Sequence, residues 1–483
     1  MMALLLFSSL GLGPDESQYW TWSQELALGY YSKPPAIAWQ IKLGTLLFGN
    51  NEFAVRFFSV IIAFFQAIAV FYLALACRLR EQTAFWAALM IALCPIGIFG
   101  AFFAITDGGM LLCWTLASIL VIQSLQSHHF PNPFLLGGVI CIGAFYKWSI
   151  YLFLVQTALF YLYFFPLKAW LKRFLFCLAF SLLAFLPTLW WSYSHDWATF
   201  KHVSATLQGG HNESQGNFFS FIGAQVVLLS PFLFSLLLFS YLAIFQNLKQ
   251  QSYALLFCFA LSIGNLLFFS LISFFQKMQG NWILFTYPTS FILISFYAFE
   301  WQKKAKKWVF WGLSINIIFI FFLFMWPGFS KNYRKSPFKH NLAWPELAEA
   351  LEEKGYDSRY HYLISDKYQT TSALSFYSKG QKRAYFLNLE GHRKNQFSYW
   401  PSFQTEERGK KGYFVWVENA PFFIQKAKEK KQFYAKTLPN YFQSVHYLGL
   451  VPLLEREGEI LKGALIFECQ NCQLVWPTEV EKY

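Results

Sequence analysis

For its first two-thirds the chain alternates long apolar runs with short polar breaks. Apolar runs fall near 54–77, 83–103, 108–126, 134–146, 148–165, 173–194, 218–245, 252–275, 281–300 and 308–326, with a shorter one, Met1 to Leu12, at the start. Read by length and hydropathy, these predict about eleven membrane spans, with 134–165 open to more than one division. Each should be helical, because hydrocarbon offers no partner for an unpaired backbone group. Met1 to Leu12 lacks the basic start and small-residue cleavage site of an ordinary signal peptide. At ~1.5 Å per residue it is too short to cross ~30 Å of hydrocarbon. Either the chain begins upstream, or this span borrows length from the residues that follow.

The longest break in the apolar half is GPDESQYWTWSQELALGYYSKPPAIAWQIKLGTLLFGNNEFAVR, Gly13 to Arg56. Few charges among many aromatics suit an element lying in the headgroup layer, and 13–53 is read as the first outer loop of a transmembrane domain covering 1–326. From about Pro327 the pattern turns to short strands and helices. WPELAEALEEKG (344–355) reads as an amphipathic helix ended by Gly355, and HYLISD, AYFLNL and GYFVWVEN read as strands. Residues 327–483 are therefore expected to form a soluble α/β domain with its own core.

Composition fixes the class. The chain is 56% hydrophobic and 13% charged, with 58 Phe, whereas soluble chains carry about 25% charged residues. The expected architecture is mainly α, a polytopic helical membrane domain followed by the α/β tail. The net charge of +13 is carried largely by short loops, which points to topology control and anionic lipid rather than nucleic acid. Arg78 and Arg80; Lys168, Lys172 and Arg173; Lys249; and Lys303, Lys304, Lys306 and Lys307 share alternate loops, so that side is expected to be cytoplasmic. The loops around Asp15, Asp107, Lys147 and 195–217, and the tail, then face outward. Six of the eight cysteines (77, 94, 113, 141, 177, 258) lie in apolar runs, where cysteine behaves as a small hydrophobe. Cys469 and Cys472 form a lone CxxC, read as a local disulfide or as two thiols.

A few isolated charges could carry chemistry. Asp15 or Glu16 could act as a general base at the outer mouth of the bundle, although PDES before a helical run is also good capping sequence. One acid may cap while the other faces a cavity. Asp107, in AFFAITDGGMLLCW, sits between two apolar runs, as functional or paired ionisable groups do; Thr106-Asp107 could also cap the next helix. Lys147, in GAFYKWSIY, opposes the positive-inside bias, which a bound anion would explain and snorkelling would explain equally. Lys33, before Pro34-Pro35, and Arg56, at the head of a span, are further candidates for a phosphate. Tyr19, Tyr31 and Asn281 are candidate cavity residues, with Asn281-Trp282 readable as an interfacial anchor. His128, His129, His195 and Asp196 have no metal-ligand partners in the sequence and receive no role.

DESQYWTWSQELALGYYSKPPAIAWQIKLGTLLFGNNEFAVRFFS resembles the first outer loop of bacterial members of glycosyltransferase family 39, a group similar to lipid A aminoarabinose transferases and protein O-mannosyltransferases. ITDGGMLLCWTLA, YKW and GNWILFTYP are similar to later motifs of the group. SDKYQTTSALSFYSKGQKRAYFLNLEGHRKNQFSYW is similar to the soluble domain of one bacterial subgroup. The resemblance implies a GT-C fold in the cytoplasmic membrane and inverting transfer of a sugar from a polyprenyl-phosphate donor to an envelope glycolipid such as lipid A, or to a protein, at the outer face. It makes Asp15 the base, Asp107 the second acid, and Lys33 and Lys147 the donor-phosphate ligands. Where aminoarabinose transferases carry Glu-Lys before Pro-Pro, this chain has Ser32-Lys33, which leaves that sugar and a divalent metal open. Chemically, cations stabilise the departing phosphate and a base serves the acceptor, and no covalent intermediate or nucleotide pocket is required. The rival class is a transporter or flippase, which would place its ionisable groups at the midplane within inverted repeats.

Overall fold

A computed structural model describes residues 10–127, 129–207, 216–329, 338–421 and 423–477; Met1 to Ser9 of the expected first span, and His128, lie outside them. Six helices are long and apolar enough to cross a membrane: Glu52–Ala76, Thr106–Leu125, Leu167–Tyr193, Tyr253–Ile272, Gly280–Trp301 and Lys303–Phe322. The last-but-one lies at the centre of the bundle and the Leu167–Tyr193 span at its edge, by their burial. Around the outside, Phe64, Tyr163, Trp190 and Phe275 are exposed, as side chains that face lipid should be.

The remaining expected spans are shorter or bent. Run 83–103 breaks at Pro95 into Glu81–Leu93 and Pro95–Phe102, because proline cannot donate the helical hydrogen bond at that point. Pro133–Tyr146 and Tyr151–Phe164 have 14 residues each, ~21 Å at 1.5 Å per residue and shorter than the hydrocarbon. The single span expected at 218–245 is corrected: Phe218–Leu229 and Pro231–Gln246 meet at 104°. Ser230 turns the chain with φ of +80° and caps the second helix by accepting from Leu233 N–H.

The outer loop also differs from expectation. Helix Pro14–Gln24 does not lie in the headgroups: Tyr19, Trp20, Trp22 and Tyr30 are buried inside protein. Trp22 stacks on Tyr30, and Trp20 meets Phe376 of the C-terminal domain edge-on. It is the next helix, Ala36–Phe48, that exposes Leu43, Leu46, Leu47 and Phe48, the apolar face an interfacial helix needs.

The tail is the expected α/β domain. Five strands, β1 (His361–Ser365), β2 (Tyr385–Phe386), β3 (Lys411–Asn419), β4 (Phe442–Arg456) and β5 (Glu459–Cys472), form one sheet in the order β2-β1-β3-β5-β4. β1 is parallel to β2 and β3, and β5 is antiparallel to β3 and β4. Strand alternation sorts β3 cleanly. Tyr413, Val415 and Val417 face helix Trp344–Glu353, while Phe414 and Trp416 face helix Phe423–Thr437. Gly355, at φ +89°, ends the first of these helices as its sequence predicts. All eight cysteines are free thiols, so Cys469 and Cys472 form no disulfide.

The tail packs on the outer loop. Leu12 N–H donates to Tyr377 Oη at 2.6 Å, Tyr31 N–H to Gln396 Oε1 at 2.7 Å, and Asn341 Nδ2 to Gly11 O at 3.0 Å. A side chain at Gly11 would stand 2.4 Å from Asn341 O, so this approach needs glycine.

Candidate active site

Asp15 and Glu16 are neighbours on the first turn of helix Pro14–Gln24, and the helix sends them opposite ways. Glu16 turns inward. Its Oε2 accepts from Gly13 N–H at 2.9 Å, capping the helix, and its Oε1 accepts from Ala104 N–H at 3.0 Å. Arg56 grips both oxygens, Nε to Oε1 at 2.8 Å and Nη2 to Oε2 at 2.7 Å. Its remaining donors go to Leu10 O and Gly11 O at 2.8 Å each, and its plane lies 4.7 Å from the Phe102 ring centroid. Both side chains are buried. The pair ties together three segments, and every guanidinium nitrogen is taken. Arg56, expected at a donor phosphate, and Glu16, expected in the chemistry, are therefore turned toward each other and away from the cavity.

Asp15 turns outward into a recess that solvent reaches. Among the described residues its carboxylate has no hydrogen-bonded or ion-paired partner. Surrounding protein raises its pKa above the usual aspartate value; Lys33 opposes the rise, Glu16 and Asp107 add to it, and Arg393 opposes it. Lys33 is half-buried and lies within the field of Asp15. Burial lowers its pKa first, then Lys147, while Asp107 and Asp15 raise it and Arg393 lowers it. Its ammonium has no carboxylate partner among the described residues. Four residues from separate parts of the sequence thus share one field, together with Arg393 from the tail.

Asp107 and Lys147 meet directly: Lys147 Nζ donates to Asp107 Oδ1 at 2.7 Å. Asp107 sits in the first turn of Thr106–Leu125, where the helix dipole favours a negative charge. It does not cap the helix, whose N-cap is Ile105, without a side-chain cap. Lys147 ends helix Pro133–Tyr146 in extended conformation. What brings the two ends together is Gly109, where a Cβ would stand 2.4 Å from the Tyr146 ring. Gly109 is there for packing the lysine's neighbour, whereas a Cβ at Gly108 would meet Gly100 O at 3.2 Å.

Tyr19 faces the same groups: burial, then Asp15, Asp107 and Tyr368, hold its phenol well above its ordinary pKa. Tyr31 is buried one layer behind, 4.8 Å ring to ring from His202. Burial, then Arg393 and Lys33, lower His202 to about 3, so its imidazole stays neutral. Asn281 lies elsewhere, lining an apolar groove of about 590 Å³ with Phe103, Ile105 and Leu284. A second groove of about 380 Å³ runs along Val60, Phe64 and Leu111. The two meet at Gly100, beside the start of the Asp107 helix.

The sequence reading missed the contribution of the tail. Arg393, Tyr368 and Pro14 border a cleft of about 540 Å³ that also takes in Lys367, His340, Glu418 and Lys462. Arg393 lies in GHRKNQFSYW, within a stretch whose family resemblance was visible, but nothing local distinguishes it from its neighbours Lys382, Arg383 and Lys394.

The chain is similar in sequence and in fold to known proteins. Residues 32–191 match the dolichyl-phosphate-mannose-protein mannosyltransferase family. The apo crystal structure of ArnT from Cupriavidus metallidurans superposes with a TM-score of 0.63 at 12% identity, covering 96% of each chain. The chain has the fold of this ArnT. The same ArnT bound to undecaprenyl phosphate gives a TM-score of 0.60 at 13% identity, covering 96% of this chain and 97% of that one. Among curated relatives, lipid A galacturonosyltransferase RgtD of Rhizobium johnstonii is 26% identical over 321 residues, 65% of this chain and 66% of its own. The undecaprenyl phosphate-alpha-4-amino-4-deoxy-L-arabinose arabinosyl transferase of Erwinia tasmaniensis is 30% identical over 188 residues, 35% of this chain and 33% of its own. The chain thus spans just under two-thirds of the first of these relatives and a third of the second.

Proposed function

We propose that this protein is an inverting glycosyltransferase that moves a sugar from a polyprenyl-phosphate donor to a glycolipid acceptor of the lipid A class at the outer face of the cytoplasmic membrane. The observation that carries the reading is a pair of groups, the carboxylate of Asp15 and the ammonium of Lys33, that have no bonded partner among the described residues and lie in each other's field. A cavity that keeps an acid and a base apart and unsatisfied is prepared for a ligand that brings both a proton to remove and an anion to hold.

In this reading Asp15 accepts the proton of the acceptor hydroxyl as the oxygen attacks the anomeric carbon. Its raised pKa makes it a better base than an ordinary aspartate. The glycosyl-phosphate bond breaks on the opposite face of the sugar, and the electron pair leaves with the phosphate. Lys33, Lys147 and Arg393 stabilise that developing charge. Asp107 holds Lys147 in place. Tyr19, fixed as a phenol, can donate to the sugar or phosphate. The polyprenyl chain lies along the apolar grooves that meet at Gly100, with Asn281 at the groove wall.

Two curated relatives are named for lipid A or undecaprenyl-phosphate-sugar transfer, which supports a glycolipid acceptor over protein O-mannosylation. Purified protein in vesicles, given undecaprenyl-phosphate sugars and either lipid A or a Ser/Thr-rich peptide, tests this. Label should pass to lipid A. Transfer only to peptide would overturn the acceptor assignment, and no transfer from any polyprenyl-phosphate sugar would overturn the reaction class.

A further inference from the structure

The tail holds a second polar cluster that the transfer mechanism does not use. Asp366 follows β1, and Glu390 and His392 stand on the segment after β2; one ligand atom from each lies within 4.8 Å of the other two. Asp366 is fully buried, yet its Oδ1 has no hydrogen-bond partner in the protein, and neither has His392 Nε2. A buried carboxylate oxygen left bare among the described residues is costly, and Asp366 shares the cluster with Glu390 and the unpartnered His392 Nε2.

The opposite sides of the two carboxylates are already held. Tyr434 Oη donates to Asp366 Oδ2 and, at 2.7 Å, to Glu390 Oε1, while Lys430 Nζ lies 2.5 Å from the same Glu390 oxygen. Asn388 fixes the loop, with Nδ2 donating to His392 O at 2.7 Å and Oδ1 accepting from His392 N–H at 2.8 Å. Both carboxylates therefore have outer partners that orient them, as in built metal sites, and His392 is held through its backbone. Glu390 Oε2, 3.8 Å from His392 Nε2, completes the set.

We infer that Asp366, Glu390 and His392 bind a divalent transition metal of the zinc class. One imidazole and two carboxylates form a mixed N/O set that suits zinc and leaves a fourth position for water. Hard cations such as calcium prefer six or more oxygens, which this cluster does not offer. Ligand atoms around a tetrahedral zinc lie about 3.3 Å apart, so the widest pair must close by roughly 1.5 Å. His392, on a loop and two-fifths exposed, can move that far by side-chain rotation. Such an ion would pin the loop to the end of β1, and Arg393 is the next residue along. The metal would hold the arm that reaches toward Asp15 and Lys33.

The full-length protein in detergent, stripped with EDTA and titrated with zinc chloride by calorimetry, tests the site without reference to transfer. About one equivalent should bind, calcium should not compete, and the zinc-loaded protein should melt at higher temperature than the stripped one. His392→Ala and Glu390→Gln should each weaken binding by more than about 100-fold, more than loss of an outer partner alone costs. Cys472→Ser, which removes one thiol of the CxxC, should leave zinc binding unchanged. Absence of a saturable zinc event in the wild type, or wild-type affinity in a folded His392→Ala protein, would overturn the assignment.

Discussion

Two acid–base sets stand side by side at the first turn of the outer loop, and they are opposites. Glu16 and Arg56 satisfy each other and are sealed from solvent; among the described residues Asp15 and Lys33 have no bonded partner and lie in each other's field. The same chemistry thus makes a structural clamp in one place and a candidate reactive site one residue away. The difference lies in how many donors and acceptors each group has found. A group with every hydrogen bond made cannot meet a substrate without first breaking the fold. A group with none is held in place only by its surroundings, and those surroundings shift its pKa.

The largest way to break the contrast is at the clamp. Arg56→Ala strands a buried Glu16, which should cost about 3–5 kcal/mol of stability. A melting curve that barely moves would show that the clamp is not holding the loop. In the recess, Lys33→Ala should instead leave melting almost unchanged and weaken donor binding by about 1.5–3 kcal/mol, the worth of a charged hydrogen bond. Undecaprenyl phosphate binding, measured directly, separates the two. Gly109→Ala lies between the regions: it pushes Tyr146 away and should cost about 1–3 kcal/mol. Asp107 and Lys147 should lose their contact with it, so transfer should fall by more than the folded fraction does.

The pH profile sharpens the comparison further. Asp15 works deprotonated, so its raised pKa should set the acid limb of kcat/KM above 3.8, with activity falling as pH drops through it. Lys33 works protonated, so its lowered pKa should set an alkaline limb below 10.5, with activity falling as pH rises. Lys33→Arg, which stays charged, should move that limb upward. A limb that stays put would remove Lys33 from the phosphate role.

Much of this was legible in the chain, for identifiable reasons. Apolar runs placed the long helices to within a few residues, because hydrocarbon enforces a length and a composition. Hydropathy counts apolar residues but not direction, so the 104° turn at Ser230-Pro231 was read as one span, although the proline was there to suggest it. Asp15 and Glu16 were indistinguishable as letters; only the position of Arg56, forty residues on, separates them. A buried arginine that clamps a loop and one that holds a lipid phosphate look alike at the head of an apolar run. Arg393 and Tyr368 enter the recess from more than three hundred residues away, and no local period could announce them. The long β4-β5 hairpin, too, was not read from its sequence.

The central claim is that Asp15 does the chemistry and Glu16 holds the fold, and one paired measurement tests it. Asp15→Asn and Glu16→Gln are purified in the same detergent, and single-turnover transfer per folded molecule is recorded with the melting temperature of each. Asp15→Asn should melt like the wild type and lose about 10²–10⁴ of the rate, as expected for removal of a general base. Glu16→Gln should melt lower, and its folded molecules should transfer near the wild-type rate. Wild-type turnover in Asp15→Asn, or an equal loss of rate in folded Glu16→Gln, would contradict the account.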